Sequence, residues 1–204
     1  SGPSHAEELS RGIPTVLAAA SHSLAAAQQV QELTEGTHIR IYTNDDLMGV
    51  ELGGALKNVI AFASGVIDGM GYGDNTKAAL ITRGMAEIAR LGIAMGARAE
   101  TLYGLSGIGD LIVTCASVHS RNRRAGVLIG QGATMQEAMD QVQMVVEGVY
   151  SAKAGRALAE KYQITMPIIE QVNQVLFEDK PAAQAVGQLM TRDRTQEHFS
   201  LPWD

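Results

Sequence analysis

Apolar residues at helical spacing constrain this chain more than any other feature. From Asn44 onward, Leu52, Leu56, Val59, Ile60, Ala63, Ile67 and Met70 recur at intervals of three and four, the mark of a helix face packed into a core. Asn44 or Asp45 is the expected N-cap, and the cluster Gly69, Gly71, Gly73 ends the helix. A second long helix, from about Thr76 to Ala97, is apolar nearly all round and reads as the central buried element. Its polar stripe Arg83, Glu87, Arg90 reads as a solvated, self-paired face. Shorter helices are expected at about 120–130, 134–141, 150–162, 167–178 and 181–190. From Thr191 the periodicity is lost, and 191–204 reads as a polar tail. Residues 1–44 have a different texture. The runs 14–19 and 38–43 look like strands, with helices at 5–11 and 22–34, an α/β pattern with too few strands for a sheet of its own. The fold class expected is mainly α, a helical domain preceded by a small α/β segment.

Charge narrows the partners. The 204 residues carry 16 Lys and Arg against 22 Asp and Glu, a net charge of −6, with five Lys and no basic block. Nucleic acid is therefore not the expected partner. Apolar residues at 46% exclude disorder by composition, and no uninterrupted apolar run reaches the roughly 18 residues of a membrane span. The single Cys115 cannot form an internal disulfide, and the first fifteen residues hold no hydrophobic signal segment, so a cytoplasmic location is expected. The five His are scattered and one Cys makes no ligand cluster; no metal site is expected.

Three local features could carry chemistry. Lys57 has Gly53, Gly54, Ala61 and Ser64 as its helical neighbours, a stripe of small residues where a ligand or another backbone can approach. Desolvation there would tune a lysine for proton transfer, although a lysine snorkelling out of a tight helix contact has the same spacing. Asn58 offers a donor and an acceptor from the adjacent face. In the glycine-rich stretch 104–114, Asp110 and Thr114 are four apart and share one side of a helix. In Ser120-Arg121-Asn122-Arg123-Arg124, Ser120 is a natural N-cap and places arginines in a first turn, where the helix dipole disfavours them. Such a start suits a bound anion, or else a solvated basic patch. His119 beside Ser120 does not make a nucleophile and base, because adjacent helical residues face apart.

The segments GPSHAEEL, YTNDDLMGVELGGALKNVIAFASG, GDNTKAALITRG, GIGDLIVTCASVHSRNRR and VVEGVYSAKA, in this order, resemble the bacterial NAD(P)-dependent glycerol-3-phosphate dehydrogenases. The resemblance runs from Gly2 to about Arg192. It implies a helical substrate domain of the 6-phosphogluconate dehydrogenase C-terminal type, here 45–190, behind a remnant of a Rossmann nucleotide domain, here 1–44. It implies an oxidoreductase that interconverts dihydroxyacetone phosphate and sn-glycerol 3-phosphate with NAD or NADP as cofactor, feeding glycerophospholipid synthesis, and a homodimer. Lys57 matches the family's catalytic lysine; Asn58, Asp110 and Thr114 match residues around the reacting end. Gly2, Ser4, Lys57, Asp110, Ser120, Arg121 and Asn122 match substrate-binding positions, with Arg121 and Asn122 at the phosphate. Ala6, Arg121, Val145 and Glu147 match cofactor contacts. The family's Gly-x-Gly-x-x-Gly turn is missing from these 204 residues, and they begin with Ser1 rather than Met. The expectation is a substrate half that neither binds cofactor tightly nor turns over alone. Two other classes share the pattern: a helical dimerisation module without activity, and a 3-hydroxyacid or ketopantoate-type reductase domain. Ser120-Arg121-Asn122 suits a phosphate better than a lone carboxylate and argues against both.

Overall fold

A computed structural model describes residues 1–193 and 197. Most of the expected polar tail therefore lies outside the described residues. The N-terminal segment runs α1 (Ala6–Leu9), β1 (Thr15–Ala20), α2 (Leu24–Leu33) and β2 (Ile39–Asn44). The two strands pair in parallel, Thr15 opposite Ile39 through Ala20 opposite Asn44. A parallel pair needs a crossover, and α2 supplies it, capped by the Ser23 side chain on the Ala26 N–H.

All remaining elements are helical: α3 (Leu47–Gly69), α4 (Asp74–Ala94), α5 (Ala99–Leu102), a π-turn (Leu105–Gly109), α6 (Asp110–Ala116), α7 (Arg121–Gly130), α8 (Met135–Val142), α9 (Glu147–Tyr162), α10 (Pro167–Phe177) and α11 (Ala182–Met190). The first of these is capped by Asp46, one residue later than expected. Its Oδ1 accepts the Gly49 N–H at 2.9 Å, while its Oδ2 accepts the Arg98 N–H at 2.8 Å and anchors the start of α5.

The central element is α3, not the following helix. Val59, Ile60, Ala61 and Phe62 are successive and wholly inaccessible, so every face of α3 is covered there, and it touches α4, α6, α7, α9 and α10. By contrast, α4 buries one side only: Leu80, Met85, Ile88 and Leu91 point inward while Ile93 is exposed. Counting uninterrupted apolar runs also understated α3, whose polar residues are dispersed. Its 23 residues are long and apolar enough to cross a membrane, at a mean hydropathy of 1.4, yet 78% of that window is buried against the other helices.

Glu87 departs furthest from its expected place. Rather than lying on a solvated stripe, it is 3% exposed and accepts the backbone N–H groups of Ile168 (2.8 Å) and Ile169 (3.3 Å). These are orphan donors of the first turn of α10, whose own N-cap, Met166, has no acceptor side chain. Arg90 of the same stripe donates to Thr165 O at 3.1 Å. The stripe is thus a clamp from α4 onto the start of α10.

Glycines bring α3 and α7 into backbone contact. A Cβ on Gly65 of α3 would stand 2.0 Å from Arg123 O, and one on Gly126 of α7 would stand 2.0 Å from Phe62 O. Gly69 and Gly130 repeat the arrangement one turn later. Four glycines spaced by four on two helices allow a crossing that any side chain would prevent. This crossing holds the start of α7 beside the middle of α3, where Lys57 and Asn58 lie.

Candidate active site

The middle of α3, the helix α6 and the first turns of α7 and α9 meet the N-terminal segment around a cavity of about 360 Å³. Lys57 and Asn58 come from α3, Asp110 and Thr114 from α6, Ser120, Arg121 and Asn122 from the start of α7, and Glu147 from the start of α9. Ser1, Gly2, Ser4 and His5 of the N-terminal segment complete the lining. Eight positions singled out in the sequence, spread from 57 to 147, thus share one cavity with Gly2 and Ser4.

Lys57 is not isolated on its small-residue stripe. Its Nζ lies 2.5 Å from Asp110 Oδ2, and the pair is largely shielded, with side chains 18% and 5% exposed. Of the stripe, Gly53 admits the Ser106 carbonyl and Gly54 faces the cavity, while Ser64 donates to Cys115 O. The stripe therefore serves close packing on two sides and an approach to the lysine on one. Thr114 lies one turn below Asp110; its Oγ1 donates to Asp110 O at 2.6 Å and stands 3.3 Å from Asp110 Oδ1. This contact orients the carboxylate towards Lys57. The neighbouring Cys115 takes no part: burial pushes its thiol up to about 12, which keeps it protonated and unreactive.

A second network joins three helices beneath the cavity. Asn122 Nδ2 donates to Asn58 Oδ1 at 2.9 Å, and Asn122 Oδ1 accepts the Gly148 N–H at 2.8 Å. Asn58 Nδ2 in turn donates to Gly54 O at 3.3 Å and to Glu147 Oε2 at 3.1 Å. Both asparagines are buried, and the amide of Asn58 is fully engaged within the protein. Gly148 fits because a Cβ there would meet Asn58 O at 2.6 Å.

The arginine run does not converge on one point. Arg121 faces the cavity and approaches Glu147 Oε1 at 3.5 Å. Arg123 turns away and is neutralised by Asp68, through Nε at 2.8 Å and Nη2 at 2.7 Å, with Lys77 on the other carboxylate oxygen at 2.6 Å. Arg124 lines a neighbouring cavity of about 220 Å³ with Glu7, Val118, His119, Arg121 and Met144. Ser120 caps α7 as expected, accepting the Arg123 N–H at 3.2 Å. One guanidinium of the three thus serves the main cavity; successive helical positions point about 100° apart.

Val145 and Ala6 do not line the main cavity. Val145 is 60% exposed and follows Met144, which is also exposed and lines the second cavity with Arg121. Ser1 and His5 line the cavity without having been singled out in the sequence, and His119, set aside there as a base for Ser120, lines it too. The signal for His5 was its adjacency to Ser4. Among the described residues no group of three or more His, Cys, Asp or Glu could hold a metal ion.

Comparison with known proteins places this geometry in a family. Residues 46–187 match the model of the NAD-dependent glycerol-3-phosphate dehydrogenase C-terminus. The NAD(P)+-dependent glycerol-3-phosphate dehydrogenase of Agathobacter rectalis is 65% identical over 202 residues, 99% of this chain and 60% of that protein. Its counterpart in Clostridium perfringens is 61% identical over 199 residues, 98% of this chain and 60% of that protein. The crystal structure of glycerol-3-phosphate dehydrogenase from Coxiella burnetii superposes with a TM-score of 0.91 at 43% identity, covering 94% of this chain and 59% of that one. The chain spans about 60% of the length of the curated relatives it matches. It belongs to the family of NAD-dependent glycerol-3-phosphate dehydrogenase C-terminal domains.

Proposed function

We propose that this chain is the substrate-binding part of an enzyme that interconverts dihydroxyacetone phosphate and sn-glycerol 3-phosphate with NAD or NADP. The observation that carries the reading is the Lys57–Asp110 pair opening onto a polar cavity that Arg121 also lines. The reactant has a carbonyl or hydroxyl at one end and a phosphate at the other. Lys57 serves the first, and Arg121 with Ser120 and Asn122 serves the second. In the reductive direction the Lys57 ammonium donates a proton to the carbonyl oxygen as that oxygen gains charge; in oxidation the amine receives the hydroxyl proton. Asp110 fixes the lysine, and Thr114 fixes Asp110. Asn122 keeps one amide N–H beyond its bond to Asn58, and this N–H is available to a phosphate oxygen.

The nicotinamide cofactor, when bound, supplies or accepts the hydride at carbon 2. The exposed Met144 and Val145, with the Arg121–Glu147 pair, offer a flat ring an apolar surface and its phosphate a cation, and Ala6 is assigned to the same cofactor through the family resemblance. Within this reading residues 1–44 are the end of a nucleotide-binding domain, 45–190 the substrate and dimerisation domain, and 191–204 a tail. The protein acts in the cytoplasm, as a homodimer without a membrane span, and its product enters glycerophospholipid synthesis.

The test is calorimetric titration of dihydroxyacetone phosphate into this chain and into Arg121→Ala. Binding by the parent that the variant loses supports the reading. Equal binding by both removes Arg121 from the phosphate, and binding by neither removes the preformed site.

A further inference from the structure

Leaving aside its histidines and the amino terminus of Ser1, the side chains of the cavity sum to zero charge. Lys57 and Arg121 are balanced by Asp110 and Glu147, each cation lying beside one of these carboxylates. A phosphate monoester entering it brings close to two negative charges at neutral pH. Buried or half-buried charge needs a partner, and beyond the Ser1 ammonium, which already donates to Ala18 O at 2.9 Å, the wall must supply positive charge from elsewhere. Two imidazoles stand there. His5 and His119 both line the cavity, from the N-terminal segment and from the residue before Ser120, with ring centroids 6.3 Å apart. His5 Nε2 is buried and has no hydrogen-bond partner, whereas the polar atoms of Asp110, Asn58, Asn122 and Thr114 around it are engaged. A buried polar atom without a partner on the wall of a polar cavity marks a place where a ligand completes the bonding.

We propose that His5 and His119 form a second anion-binding element of this cavity, which takes up a proton as the phosphate of the substrate enters. The inference rests on the function proposed above. Imidazole is the side chain that changes charge near neutral pH. The charged groups that face the pair are the Ser1 ammonium, Glu7 of α1, 3.9 Å from His119 Nδ1, Arg121 and Arg124 of α7, Lys57 of α3, Asp110 of α6 and Glu147 of α9. The incoming dianion is the charge that favours an imidazolium at both positions, which couples protonation to binding.

The experiment is titration of dihydroxyacetone phosphate into the chain by calorimetry in two buffers of different ionisation enthalpy. His5→Phe, His119→Asn and the double variant are titrated in parallel, with folding checked by circular dichroism. Uptake of a substantial fraction of one proton per ligand is expected for the parent, and less for each variant. The variants should bind roughly tenfold more weakly near pH 6, the effect of losing one charge-assisted bond, and like the parent near pH 8.5. Unchanged proton uptake in the double variant, or equal weakening at both pH values, overturns the proposal. If the parent binds, Arg121→Ala does not, and the histidine variants match the parent throughout, this proposal alone fails. If the parent does not bind, the function proposed above fails with it. Because the two single variants lie on different segments, misfolding of one leaves the other decisive.

Discussion

Lys57 Nζ and Asp110 Oδ2 stand 2.5 Å apart, so that α3 and α6 are joined by an ion pair at the floor of the cavity. The contact separates two roles that a lysine in a cleft can play. If Lys57 moves the proton, Lys57→Met should lower kcat by about 10²–10⁴-fold, the usual worth of a positioned acid or base. Affinity for dihydroxyacetone phosphate should change far less, because the proposed phosphate contacts are Arg121 and Ser120, which the variant leaves in place. Asp110→Asn, which leaves the lysine in place without its partner, should lose less kcat than Lys57→Met. Steady-state kinetics in a chain extended to the length of its relatives checks both, and a Lys57→Met enzyme with near-normal kcat would refute the assignment.

Gly126 of α7 and Phe62 O of α3 define how closely the two helices approach. A methyl group at residue 126 has to occupy space 2.0 Å from that carbonyl oxygen, where no side chain can yield. Gly126→Ala should therefore destabilise the fold by about 1–3 kcal/mol or more through overpacking, despite the better helix propensity of alanine. Urea denaturation reads the loss directly. Gly187→Ala, on a helix where a Cβ meets nothing within 4 Å, is the control and should be neutral or slightly stabilising.

Legibility in the sequence followed the range of the interaction. The helices 120–130, 134–141 and 167–178 were readable within a residue or two, because caps and apolar spacing are local. Asp110 and Thr114 were placed on one side of a helix by counting four residues. The Lys57–Asp110 pair spans 53 positions and has no local signal; each residue stood out within its own stretch, and the fold joined them. Glu87 was misread for the same reason. Its partners are the amides of Ile168 and Ile169, and a charged residue between Arg83 and Arg90 carries no sign that another helix begins against it. The rank of α3 and α4 was reversed because α3 holds Glu51, Lys57, Asn58 and Asp68, which dilute its pattern although the backbone around Val59–Phe62 is wholly enclosed. The divergence of Arg123 was geometrically foreseeable: positions 121 and 124 are three apart and share a side of α7, where both line the second cavity, whereas 123 points away from it.

The buried clamp at Glu87 makes stability depend on pH. Burial raises its carboxyl from 4.5 to about 7, against the opposing pull of the Ile168 and Ile169 amides and of Arg90. The folded protein therefore holds this proton more tightly than the unfolded chain does. Between the unfolded value near 4.5 and the folded value near 7 the native state binds more protons, so stability falls as pH rises through that window and levels off above it. The contribution is on the order of 3 kcal/mol across the window, from the general cost of about 1.4 kcal/mol per unit. Glu87→Gln keeps a neutral side chain with one acceptor for the start of α10 and cannot ionise. Its urea midpoint should follow that of the parent near pH 4.5 and exceed it near pH 8, with this segment of the profile flattened. Parallel curves for parent and variant from pH 4.5 to 8 would mean that Glu87 does not titrate in this range and that its two amide bonds, rather than its burial, set its charge state.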